Sequence, residues 1–383
     1  MGQPEINFLA GAFFVDGARD AYRWLRDNAP VYLDENSGLW GVSRYDDVVA
    51  VGRDPVTFSS AGGSRPNTGP LPWMIDLDGS DHMKRRTIVS GGFTPPRVRA
   101  TEPRLAGICD DLIDTVSERG ACDFVADIAV PLPLMVISDM VGIPPSDRAQ
   151  LLGWTHAMLE SLSGEPEGYA AAADAFGAWM QYAHAMTARR RATPTDDLWS
   201  VLVHAEVDDE RLTDNEIAME ALLLFIGGDE TTRQVAAGGL EQLLLHGLVG
   251  ELRAAPELVP SAVEEMLRWV CPVNDMARTT TRPVEVAGTT LPAGVKLVVL
   301  YESANFDERH FDSPDDFNIH RTPNDHLAFG FGRHFCLGAS LARVELAVLF
   351  ERVLARWSHI ELAGEPPQRS ITGLDSLPIS FSP

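Results

Sequence analysis

Helical periodicity dominates the chain, with one region that alternates as strands do. Thr213 followed by Glu216 predicts a capping box, and an apolar pattern runs from there to about His246. At a rise of 1.5 Å per residue, that helix would be about 50 Å long, enough to cross a whole domain. Its middle, from Ala221 to Ile226, is apolar on nearly every side, which predicts a helix buried all round. Ser261 with Glu264 predicts a second capping box, opening a helix that ends near Trp269. A third helix is predicted over about residues 337–357. Between these two, residues 284–286 and 295–300 read as strands around a Gly/Pro turn. Residues 59–72 and 163–168 read as loops, neither long enough to be an interdomain linker. No repeat or low-complexity tract appears. The pattern predicts a mainly α fold with small β regions, in a single domain over residues 1–383.

Composition narrows the function classes. The chain has 383 residues, of which 45% are hydrophobic and 22% charged, so a large core is available and bulk disorder is not expected. A formal charge of -24 repels phosphate backbones and anionic membranes, so no nucleic-acid partner is expected. The charge-free run Ile6 to Val15 is too short to span a bilayer, and Pro131 and Pro133 interrupt the run from Ile128 to Ser138. No membrane anchor is therefore expected, and a cytoplasmic location follows. Cys109, Cys122, Cys271 and Cys336 form no C-x-x-C pair, which argues against a cysteine zinc site or a disulfide framework.

The segment from Phe329 to Gly338, F-G-F-G-R-H-F-C-L-G, carries the chemistry. Gly330, Gly332 and Gly338 surround Cys336 just ahead of a helix. Glycine permits tight turns and close backbone approach to a flat ligand. A cysteine at a helix N-terminus faces amide N–H groups and the positive end of the dipole, which favour the thiolate. The alternative, a buried cysteine in a glycine-rich turn, is the usual reading of a lone cysteine. Here Phe329, Gly332, His334, Cys336 and Gly338 stand at the offsets of the cytochrome P450 signature, and the chain resembles that family along most of its length. Glu265 and Arg268 match the family's E-x-x-R pair, and the resemblance implies that Arg321 completes a buried charge network with them.

Within the long helix, Gly227, Gly228, Asp229, Glu230 and Thr231 match the family pattern of small residue, Gly, any residue, acid and Thr. Glycine and threonine inside a buried helix conflict with propensity, which predicts a distorted turn that frees carbonyls and opens a groove. The resemblance implies haem b as cofactor, with Cys336 binding its iron. It also implies that Thr231 and Glu230 deliver the protons that reductive cleavage of O2 requires. The plain alternative for Glu230 is a pair with Arg233. His82 and Arg86, at i and i+4, with Arg278 and His334, match the groups that clamp the haem propionates. Lys84 and Arg85 are expected to face solvent.

Three stretches narrow the resemblance to actinobacterial members that oxidise the side chain of cholesterol and its 3-keto derivative. They are L-Y-E-S-A-N-F-D-E from Leu300, G-G-D-E-T-T-R from Gly227, and the loop from Ser60 to Pro72. This implies hydroxylation of a steroid or comparable polycyclic isoprenoid, with terpenoid tailoring in biosynthesis as the alternative. A peroxide-driven enzyme or a haem sensor without turnover are the remaining readings. Leu71, Trp73, Met74, Ile75, Gly227, Val273 and Asn274 are the expected substrate contacts, with Met158, Leu159, Phe176 and Met180 as further wall candidates. Electrons are expected from a ferredoxin and its NAD(P)H-linked reductase, docking near Arg333 and Arg343.

Overall fold

The computed structural model describes residues 3–15, 18–160, 166–364, 367–370 and 373–382. The predicted loop at 163–168 falls partly outside them. Nine of its helices position the site: α1 (Gly79–Ser90), α2 (Pro95–Ser117), α3 (Pro131–Val141), α4 (Arg148–Glu160), α5 (Pro166–Ala192), α6 (Leu198–His204), α7 (Asp214–Leu245), α8 (Val259–Val270) and α9 (Ala339–Arg356). The long helix predicted from the capping box is α7. Glu216 N–H donates to Thr213 Oγ1, and Thr213 N–H donates to Glu216 Oε2, so the box is complete. Around α7 pack α3, α5, α8 and α9, which bury its apolar middle.

The second predicted box does not form. Helix α8 starts at Val259, before Ser261, with a proline in its first turn. Ser261 Oγ donates to the Leu258 carbonyl instead. Glu264 is drawn away by Arg343 and His326, whose charged and ring nitrogens outcompete a backbone amide as partners. Pro131 and Pro133 do not interrupt their run either. They occupy the first turn of α3, where the missing N–H is no loss.

Five strands form the main sheet: β1 (Val31–Asp34), β2 (Leu39–Val42), β3 (Phe58–Ser59), β4 (Asp275–Thr280) and β5 (Lys296–Leu300), in the order β1-β2-β5-β4-β3. The predicted strand at 295–300 is thus central, parallel to β2 through Trp40 and Leu297 and antiparallel to β4 through Asp275 and Leu300. Val284–Val286 pairs not with it but with Thr289–Leu291 in a hairpin of its own. One hydrophobic cluster spans most of the helices, and a second joins Ile6, Phe8, Tyr22 and Leu25 to Val298 and Leu300.

The E-x-x-R pair anchors this frame. Arg268 grips Glu265 through two bonds of 2.8 Å, and both side chains have no exposed surface. Arg321 adds a bond of 3.0 Å to Glu265, as the resemblance implied. Arg268 Nη1 also donates to the carbonyls of Asn305 and Pro314, at 2.8 and 3.0 Å, fixing the segment that leads to the cysteine loop. Removing one partner leaves the other charge buried and uncompensated. Arg268→Ala should therefore destabilise the protein by about 3–5 kcal/mol, read as a fall in the urea midpoint at constant slope.

Candidate active site

The cysteine loop is held from three sides. Cys336 N–H donates to the Phe329 carbonyl at 2.9 Å, closing the loop on itself. Gly332, at φ +77°, packs so tightly on the residue 52 backbone that an added Cβ would lie 2.0 Å from the Gly52 oxygen. Helix α9 begins directly after Gly338. The Cys336 sulfur opens into an internal cavity of about 420 Å³ and is enclosed by protein elsewhere. Burial raises its thiol above the ordinary range, against the opposing pull of the Gly338 and Ala339 amides and of Arg86 and Arg343. The helix N-terminus therefore moderates the acidity of the thiol without making it a thiolate by itself. A bound cation would complete the deprotonation.

Around the same cavity lies a cluster of bases with which, among the described residues, no carboxylate forms a salt bridge. His82, Arg86, Arg278 and His334 all line it. The His82 and His334 rings sit 4.2 Å apart. Burial, with Arg86 and Arg333, pushes His82 down to about 4, and burial, with Arg278 and His82, pushes His334 down to about 3. Arg86 donates to the Phe335 carbonyl at 2.6 Å, and Arg278 to the neighbouring Ala277 carbonyl at 2.7 Å. Ser60 Oγ lies 3.2 Å from His334 Nε2, a contact that sequence patterns did not single out. Groups that repel one another this way form a receptor for a buried dianion.

Across the cavity runs α7. It stays α-helical through Gly227 and Gly228, so the predicted distorted turn is absent. The Gly227 carbonyl is taken by the Thr231 hydroxyl, which donates at 2.9 Å. The two glycines serve different ends. A Cβ at Gly228 would lie 2.6 Å from Ile137, so this glycine lets α7 close on α3. At Gly227 nothing lies within 4 Å, and the helix opens to the cavity there. Glu230 is held by Arg233 at 2.7 Å, as the plain alternative had it, and by His156 of α4 at 2.9 Å. Burial opposes ionisation of Glu230, but His156 and Arg233 hold it below the ordinary carboxylate range.

The chain is similar in sequence and fold to known proteins. The profile of the family described as Cytochrome P450 matches residues 251–379. The chain is 48% identical over 390 residues to a steroid C26-monooxygenase of Mycobacterium tuberculosis (strain H37Rv), covering 99% of this chain and 98% of that protein. The chain belongs to the cytochrome P450 family. It is also 37% identical to the cyclomarin C epoxidase CymV of Salinispora arenicola, covering 97% and 98% of the two chains. A mutant of P450 EryK solved with erythromycin B superposes with a TM-score of 0.90 at 32% identity, covering 98% of each chain.

As a P450 monooxygenase the chain uses haem b, and the residues present fit that group. One cysteine sulfur faces the cavity, an uncompensated basic cluster matches two propionates, and Gly227 leaves the opposite wall open. Phe329 and Gly338 line the same space.

Of the expected substrate contacts, Trp73, Met74, Ile75, Gly227, Val273 and Asn274 line the P450 cavity. Leu71 does not. It is 38% exposed on the outer surface, because buried Asp76 accepts from the Leu71 and Trp73 Nε1 N–H groups and turns the loop between them. Among the further wall candidates Leu159 lines the cavity, Met158 and Met180 pack on the core, and Phe176 is exposed. Sequence patterns missed Phe8 and Phe14, which also line the cavity. Their signal was the apolar run from Ile6, weighed only as a membrane segment.

One of the two charges expected to face solvent is also corrected. Lys84 faces solvent, with Glu210 and Asp208 nearby. Arg85 does not: it donates to buried Glu220 at 2.9 Å and to the Pro72 carbonyl at 2.7 Å, tying α1 and α7 to the Trp73 loop. Arg343 is gripped by Glu264 at 2.7 and 2.9 Å, which neutralises it as a docking charge. Arg333 remains exposed beside Arg53. Among the described residues no helix is long and apolar enough to cross a membrane.

Proposed function

We propose that this P450 hydroxylates an unactivated C–H bond near the side-chain terminus of a steroid, or of a comparable polycyclic isoprenoid. Full-length identity of 48% to a steroid C26-monooxygenase carries this reading. The apolar wall of Trp73, Met74, Ile75 and Val273 suits a fused-ring skeleton, and Asn274 offers polarity for an oxygenated ring. Burying a few hundred square ångströms at about 25 cal/mol per Å² is enough for micromolar binding after ordering costs.

In this reading haem b, bound through Cys336, supplies the oxidising chemistry. His82, Arg86, Arg278 and His334 neutralise its propionates. Thr231 and Glu230, which line the same cavity as Cys336, would deliver protons. Electrons come from a ferredoxin and its NAD(P)H-linked reductase in the cytoplasm, and the exposed pair Arg53 and Arg333 offers an acidic ferredoxin its contact. The likeness to CymV and EryK supports a second reading, tailoring of a natural product in biosynthesis.

Titration while following the Soret maximum separates the two. Cholest-4-en-3-one and cholesterol should each shift the ferric protein from low to high spin in the micromolar range. A shift with diterpenoid acids and none with either sterol would move the enzyme to tailoring. No shift with any of them would end the isoprenoid reading.

A further inference from the structure

Where α4 crosses α7, three metal-ligating side chains converge outside the haem cavity's cation cluster. One nitrogen of His156 and a carboxylate oxygen each from Asp229 and Glu230 lie within 4.8 Å of one another. His156 Nε2 and Glu230 Oε1 form the ion pair of 2.9 Å described above, but not in the geometry of a hydrogen bond. Asp229 is 1% exposed, and both its oxygens lack any hydrogen-bond partner. A buried carboxylate in that condition is costly, and natural cores rarely leave one so. Arg233 donates to the other oxygen of Glu230, Oε2, at 2.7 Å.

We propose that His156, Asp229 and Glu230 form a regulatory site for one divalent transition-metal ion of the zinc class. One imidazole and two carboxylates are a borderline-to-hard set that favours Zn²⁺ over Ca²⁺ or Mg²⁺, which take oxygen ligands. Zn²⁺ with three protein ligands keeps a fourth position for water. With the donors already within 4.8 Å of one another, small side-chain adjustments bring them to bonding distances of about 2.0–2.2 Å. His156 is 40% exposed, which gives the ion a route in from solvent. Once bound, the ion would pin α4 to α7 and engage Glu230, one residue from Thr231. It would act as an inhibitor while leaving the haem and the substrate wall in place.

The test uses the chelator-treated haem-loaded enzyme and Zn²⁺. Calorimetry, with metal analysis after gel filtration, should show one Zn²⁺ per chain beyond the iron. His156→Ala and the isosteric Asp229→Asn should each weaken that binding at least 10-fold. Within each protein, the ratio of turnover with and without Zn²⁺ should fall for the wild type and stay near one for His156→Ala. No bound Zn²⁺, or wild-type affinity in both variants, overturns the site. Bound Zn²⁺ with equal inhibition in wild type and His156→Ala overturns its regulatory role. The binding measurements do not depend on any substrate, so they stand apart from the steroid reading.

Discussion

Cys336→His should retain some haem but lose the red-shifted Soret band of the reduced carbonyl complex, and monooxygenase activity should fall to background. A neutral imidazole cannot supply the charge that a thiolate donates to the iron. The loop is built for the smaller residue. The Cys336 amide is committed to the Phe329 carbonyl, and Gly332 is wedged against residue 52, so the backbone cannot retreat from a larger ring. Losing a ligand itself should exceed the roughly 10–100-fold typical of losing an outer partner. Absorption of the reduced protein under carbon monoxide checks this, with iron content measured in the same sample. Survival of the red-shifted band would mean that another residue binds the iron, and the proposed site would fail with it.

The cysteine loop was legible because its chemistry is local. Five residues within ten positions fix turn, ligand and helix start together. The E-x-x-R pair was legible for the same reason, and its third member, Arg321, came from the family likeness. What stayed hidden depends on which elements meet in space. Arg85 looks like a solvent charge in D-H-M-K-R-R, since only tertiary packing brings Glu216 and Glu220 of α7 beside it. Ser261 and Glu264 have the spacing of a capping box, but Arg343 lies 79 residues from Glu264 and takes the carboxylate. Leu71 and Trp73 are near neighbours in sequence and both donate to buried Asp76, yet Leu71 is exposed while Trp73 lines the cavity. The two glycines of α7 predict a break only if propensity decides. Here the close approach to Ile137 decides, and the helix runs on.

Thr231→Ala should keep haem content and substrate affinity while product per NADH falls about 10-fold, with the missing equivalents appearing as hydrogen peroxide. The structure sharpens the reason. The Thr231 proton is already given to the Gly227 carbonyl, so what its hydroxyl offers the cavity is an acceptor oxygen of fixed direction. With haem bound, such an acceptor would order a water in the cavity, and Glu230, ionised through His156 and Arg233, would pass protons to it from the outer side. Positioned proton donors contribute roughly 10²–10⁴-fold to a reaction, and stray water recovers part of that loss. When protons arrive out of place, O2 takes up two electrons and two protons and leaves as peroxide. Alanine is a better helix former than threonine, so α7 should not loosen and a folding defect cannot mimic the effect. Thr231→Ser keeps the oxygen and its bond to Gly227, and it should couple near the wild-type ratio. Peroxide, NADH and product measured in one reaction decide the matter: unchanged coupling in the alanine variant, or equal uncoupling in alanine and serine, would take the hydroxyl out of proton delivery.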